Sequence, residues 1–282
     1  MPRPSDKGRP EFQMRQAAAS EPLTAHSPCI WHSESRLSPP KVLPCKNLIP
    51  SPPLRQPAPS RPLLGLTILI VEDSRYASDA MRLLCLRSGA RIRRADSVRA
   101  AERHLQVYRP SVVIVDIGLP DGSGAGLIEA LNSVSPRIDV ILGTSGDDQA
   151  ETLAFAAGAD GFLAKPVNSL AIFQQTILAH LPDDRRPTGL RPLPDDVIEP
   201  DHAAFQDDMI HAADILSDDA EGGMLDYVAQ FVTGVARSAG DGPLVAAGEA
   251  LASARASRLP SRAEAARLAG LLQDRISTRV AL

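Results

Sequence analysis

Between residues 63 and 182, short β-branched runs alternate five times with helical stretches. LTILIV (66–71) is followed by RYASDAMRLLCLRSG, ARIRRAD by SVRAAERHLQVY, and SVVIV by GAGLIEALNSV. IDVILG is then followed by DDQAETLAFAAG, and DGFLA by NSLAIFQQTILAH. Strands that alternate with helices cannot pair as hairpins; they cross over, which predicts an α/β chain with a parallel sheet covered by helices on both faces. The near-continuous apolar runs agree, because central parallel strands are buried on both sides. Gly89 and Gly158 each follow a helical stretch and lead into a strand, the position of a helix C-cap. Leu84 and Cys85 fall on the buried side of the first helix.

In a parallel sheet every strand ends at the same edge, and ligands bind in the crevice there. The first strand runs into Glu72 and Asp73, the third ends at Asp116, the fourth at Thr144 and Ser145, and the fifth reaches Lys165. Three carboxylates, a hydroxyl and an ammonium therefore converge from four strands. Clustered carboxylates raise one another's pKa unless a cation holds them ionised. A hard divalent ion with oxygen ligands, Mg2+ above all, resolves that conflict. Gly118, two residues after Asp116, is free to offer its backbone carbonyl to the same ion. A lysine beside the ion neutralises a transferred phosphoryl group, and a hydroxyl donates to one of its oxygens.

Residues 66–182 resemble the receiver domain of a two-component response regulator. LIVEDS corresponds to the acidic pair, VVIVDIGLPDG to the phosphoacceptor strand and turn, VILGTSG to the hydroxyl strand, and GADGFLAKP to the lysine. The resemblance implies a flavodoxin-like (βα)5 doubly wound fold that catalyses only its own phosphorylation and dephosphorylation. It implies Asp116 as phosphoacceptor, Asp73 as direct Mg2+ ligand, Glu72 acting on the metal through water, and Lys165 bridging to the phosphoryl group. Pro166 matches the family's Lys-Pro, whose peptide bond is usually cis. Phe162 falls where the family has its switch aromatic, without the tyrosine hydroxyl. Glu72 stands where aspartate is commoner, one methylene longer. The hydroxyl strand leaves Thr144 and Ser145 both open, with Thr144 preferred by the strand alignment.

Residues 1–62 hold 14 of the 25 prolines and no sustained apolar period, which predicts a disordered leader. His26, Cys29, His32 and Cys45 lie within it at spacings that fit no zinc finger. After a Pro- and Asp-rich linker (183–200), residues 201–282 carry four helical stretches near 201–217, 222–239, 243–257 and 261–277. Met209, Ala212, Ala213 and Leu216 form a helical stripe, as do Tyr227, Phe231 and Val235, so a small helical bundle is expected.

Charge limits what that bundle does. Residues 183–282 have 17 acids against 10 cations, all of them arginine, whereas DNA binding relies on clustered cations. The expected output is contact with a downstream protein, with a homodimer as one form. A transcriptional regulator with an atypical DNA-binding tail is the alternative, and a phosphotransfer-like bundle using His211 is another. The resemblance implies a sensor histidine kinase or phosphotransfer protein as the phosphoryl source. No run approaches the roughly 18–20 apolar residues of a membrane span, and three cysteines make no disulfide framework, so a cytoplasmic protein is expected.

Overall fold

The computed structural model describes residues 57–147, 149–187, 193–217 and 223–278. The expected leader, with His26, Cys29, His32 and Cys45, therefore lies outside the described residues except at its end.

The anticipated α/β fold is present. Strands β1 (Thr67–Val71), β2 (Arg91–Ala95) and β3 (Val112–Asp116) are interleaved with α1 (Arg75–Ser88) and α2 (Val98–Val107). Two-residue strands β4 (Gly118–Leu119) and β5 (Gly122–Ser123) form a small antiparallel clip before α3 (Gly124–Ser133). β6 (Val140–Ser145), α4 (Ala150–Ala156), β7 (Gly161–Ala164) and α5 (Leu170–His180) complete the domain. The five long strands pair in parallel in the order β2-β1-β3-β6-β7, a doubly wound topology. The strand β2 is an edge strand, which explains why RIRRA is mostly exposed and charged while VVIVD is buried throughout.

Because strand side chains alternate, the sheet divides its apolar residues between two cores. Ile68, Ile70, Ile114 and Leu142 meet Met81 and Leu84 of α1 and Phe173 and Ile177 of α5. Leu69, Val71, Val113, Val115 and Ile141 meet Ala101, Leu127, Ile128 and Ala154 of α2, α3 and α4. Serine caps set the helix starts: Ser74, Ser97, Ser123 and Ser169 each accept a first-turn N–H. Gly89 ends α1 in the left-handed region at φ 84°, where a side chain would be strained.

The stretch before the C-terminal helices is docked. Ser169 bridges Val197, and Ile198 is buried in the α1–α5 core. Four helices follow: α6 (His202–Ser217), α7 (Gly223–Ala239), α8 (Gly242–Ala256) and α9 (Arg262–Ser277), close to the periodicity read from the sequence. Each packs on two others, around Met209, Val228, Val232, Leu244, Leu251, Leu268 and Leu272. Among the described residues no helix is long and apolar enough to cross a membrane.

Candidate functional site

The parallel register brings Asp116 and Thr144 side by side at the C-terminal edge. Glu72 and Asp73 follow β1 directly, and Lys165 follows β7. Lys165 Nζ donates to Asp116 Oδ2 at 2.7 Å and to Glu72 Oε1 at 2.9 Å, and it pairs with Glu72 Oε2 at 2.8 Å. The Gly118 N–H donates to Asp116 Oδ1 at 3.2 Å. Glu72, Asp73 and Asp116 each offer an oxygen within 4.8 Å of the others.

The charges in this cluster depend on one another. Burial, against the Lys165 charge, holds the Glu72 carboxyl well above the usual carboxylate range. Burial, with the Asp116 charge added, pushes Asp73 up to about 6. Burial pulls the Lys165 ammonium down, but Asp116 and Glu72 outweigh it and hold the group well above the ordinary lysine range. Glu72 Oε2, though beside the ammonium, makes no hydrogen bond. Three carboxylate oxygens gathered within 4.8 Å of one another in an all-oxygen set suit a hard divalent cation, so these residues fit Mg2+.

The two candidate hydroxyls differ in direction. Thr144 Oγ1 donates to the Leu163 carbonyl at 2.7 Å and is fully buried. Ser145 Oγ accepts from the Asp147 N–H at 3.2 Å and lines the cleft with Asp73, Asp116 and Gly118. Phe162 lies against Gly143 and Ala154: a Cβ at 143 would stand 3.1 Å from the Phe162 ring. The Lys165–Pro166 peptide is cis.

The helical bundle reaches into this site, which the sequence did not reveal. The Tyr227 hydroxyl of α7 donates to Asp73 Oδ2 at 2.8 Å. Asp208 of α6 accepts from Ser74 Oγ at 2.7 Å and from the N–H groups of Arg75 and Tyr76 at 2.8 and 3.0 Å, so it caps α1 from outside. Arg237 donates to the Gly146 carbonyl at 2.6 Å. The Gln230 carboxamide lies so close to Gly118 that a Cβ there would stand 2.5 Å from Nε2. The one legible signal was Asp208, an acid aligned with Phe205 and Ala212 on the bundle's apolar side. His211 is exposed on α6, edge-on to Phe231 at 5.6 Å, and borders a second opening beside Asp73 and Tyr227.

Among known proteins, residues 68–176 match the response regulator receiver domain. The chain is 31% identical over 104 residues to the virulence transcriptional regulatory protein PhoP of Salmonella typhimurium, covering 36% of this chain and 46% of that protein. It is 30% identical over 99 residues to the KDP operon transcriptional regulatory protein KdpE of Escherichia coli, covering 35% and 44%. The chain thus spans about half the length of the curated relatives it matches. A putative response regulator from Chloroflexus aurantiacus is 30% identical, covering 40% of this chain and 98% of its own, with a TM-score of 0.38. Helices α6–α9 lie outside the matched family segment.

Proposed function

We propose that the protein is a response regulator of a two-component phosphorelay, with Asp116 as phosphoacceptor. The observation that carries this reading is Lys165, whose ammonium bridges Asp116 and Glu72 at the ligand-binding edge of the sheet. A sensor histidine kinase or phosphotransfer protein is the donor. An Asp116 carboxylate oxygen attacks phosphorus, the P–N bond of the donor phosphohistidine breaks, and its electron pair returns to the imidazole.

Glu72, Asp73, Asp116 and the Gly118 carbonyl would hold Mg2+, which supplies positive charge to the phosphoryl oxygens when bound. Lys165 releases Glu72 and follows the new phosphoryl oxygens. Thr144 gives up the Leu163 carbonyl to donate to the phosphoryl group, and Phe162, now against Gly143, turns in and repacks the face of the fourth and fifth strand–helix units. Ser145, already in the cleft, is the alternative donor. These shifts bias a two-state element by charge alone.

The output is contact with a downstream protein through the acidic helical region, in the cytoplasm, as a monomer or a homodimer. The names of the relatives favour a second reading, transcriptional regulation; salt-dependent retention of DNA by the full chain would support it. Incubation with Mg2+ and acetyl phosphate tests the central claim: one phosphate per chain is expected on the wild type and none on Asp116→Asn. Equal labelling of the two would overturn it.

A further inference from the structure

The helix α7 lies across the mouth of the acidic site. Tyr227, Gln230, Gly234 and Arg237 are spaced three, four and three residues apart, which puts them on one face of a helix. That face meets the receiver point by point. Tyr227 holds Asp73, the Gln230 carboxamide rests on Gly118, Gly234 faces Gly146, and Arg237 holds the Gly146 carbonyl. Glycine is required at one of these points, Gly118, where the Gln230 side chain leaves no room for a Cβ, while a Cβ on Gly146 would stand 4.0 Å from Gly234 Cα. The cavity left between them, about 280 Å³, is lined by Asp116, Asp73 and Ser145 from below and by Gln230, Thr233 and Gly234 from above. Asp116 is only 6% exposed, while Gln230 is exposed at the rim, so the mouth is bridged and not sealed.

A donor histidine on a protein helix must bring phosphorus to Asp116 through this same mouth. We propose that α7 is a resident stand-in for the donor's helix, with Gln230 at the position from which a donor imidazole would act. This rests on the reading of Asp116 as phosphoacceptor. The stand-in is silent because a carboxamide nitrogen, its lone pair delocalised, neither carries nor accepts a phosphoryl group. A small donor enters through the open rim, whereas a histidine-bearing helix must first displace α7. The partner that fits the receiver face is therefore a helical bundle with a phosphorylated histidine, in competition with the chain's own bundle.

Restoring the nucleophile tests this within the full chain. In Gln230→His, acetyl phosphate with Mg2+ first labels Asp116, and acetate leaves with the electron pair of the broken P–O bond. The imidazole nitrogen then attacks phosphorus, the P–O bond to Asp116 breaks with its pair returning to the carboxylate, and the ring loses its other proton to solvent. Acid-labile, base-stable phosphate should appear on the 223–239 peptide. It should be absent from the wild type and from Gln230→His combined with Asp116→Asn. Label on Asp116 of the variant with none on that peptide would overturn the proposal. No label on wild-type Asp116 would overturn the phosphoacceptor reading, and this proposal with it.

A measurement on the wild type is independent of whether the variant folds. A small donor leaves α7 in place over the labelled Asp116, so amide exchange at Arg75 and Tyr76, both held by Asp208, should stay near its unlabelled value. A several-fold rise in exchange at full labelling would also overturn the proposal.

Discussion

The Tyr227 hydroxyl donates to Asp73 Oδ2 at 2.8 Å, joining residues 154 apart in the chain. The bond uses an oxygen of one of the three clustered carboxylates that fit a divalent cation. Burial, with the Asp73 charge added, holds the Tyr227 phenol well above its ordinary range, so it stays a donor. A cation at Asp73 and this bond compete for the same carboxylate. Tyr227→Phe should therefore bind Mg2+ several-fold more tightly than wild type, as read by isothermal titration calorimetry at pH 7.5. Unchanged affinity would show that the two do not compete.

Asp73 also sets a pH dependence. Its carboxyl stands at about 6 in the folded chain, against roughly 3.9 for a free aspartate. The folded state thus holds the proton more tightly than the unfolded state, and its stability falls as pH rises from about 4 to 6. The loss is about 3 kcal/mol if Asp73 acts alone. Mg2+ takes the ionised form, so its affinity should rise across the same window and stabilisation by the ion should be greatest above it. Urea unfolding with and without Mg2+ between pH 4.5 and 7.5 would measure both slopes.

Lys165 keeps two buried carboxylates compatible with folding. Lys165→Met leaves Glu72 and Asp116 facing each other without a cation, which costs about 3–5 kcal/mol at neutral pH. The deficit should shrink as pH falls and the Glu72 carboxyl, which burial already raises, takes up a proton. Denaturation midpoints at pH 5 and 7.5 would show this convergence, and a deficit that does not change with pH would assign the loss to packing.

Asp208 joins the two halves of the fold through the start of α1. Its carboxylate is 2% exposed and satisfies three donors there. Asp208→Ala should cost about 1–2 kcal/mol, as loss of a cap does, and should loosen the bundle from the receiver. Faster amide exchange at Arg75 and Tyr76, with α5 unaffected, is the expected signature.

Thr144 and Ser145 separate by function. If Thr144 turns from the Leu163 carbonyl to meet the phosphoryl group, Thr144→Ala should lower the lifetime-weighted yield of phosphate on Asp116 at least several-fold while Ser145→Ala leaves it near wild type. The reverse order would give the role to Ser145.

The parallel sheet, the acidic pair, Asp116 and Lys165 were legible in the sequence because each follows from local pattern. Strand periodicity fixes which residues are buried, and parallel pairing sends every strand end to one edge. The four C-terminal helices were legible for the same reason, since a 3.6-residue stripe needs no knowledge of its neighbour. Their relation to the acidic edge was not. Tyr227 shares its stripe with Phe231 and Val235, and periodicity cannot say that its hydroxyl leaves the bundle core for Asp73. Nor does sequence spacing give Gln230 a place beside Gly118, 112 positions earlier in the chain. That pairing follows from how two apolar cores, sealed at Tyr76 and Phe205, settle against each other. The chain's own residues determined the chemistry of the site; the docking of one folded unit on another decided what stands at its mouth.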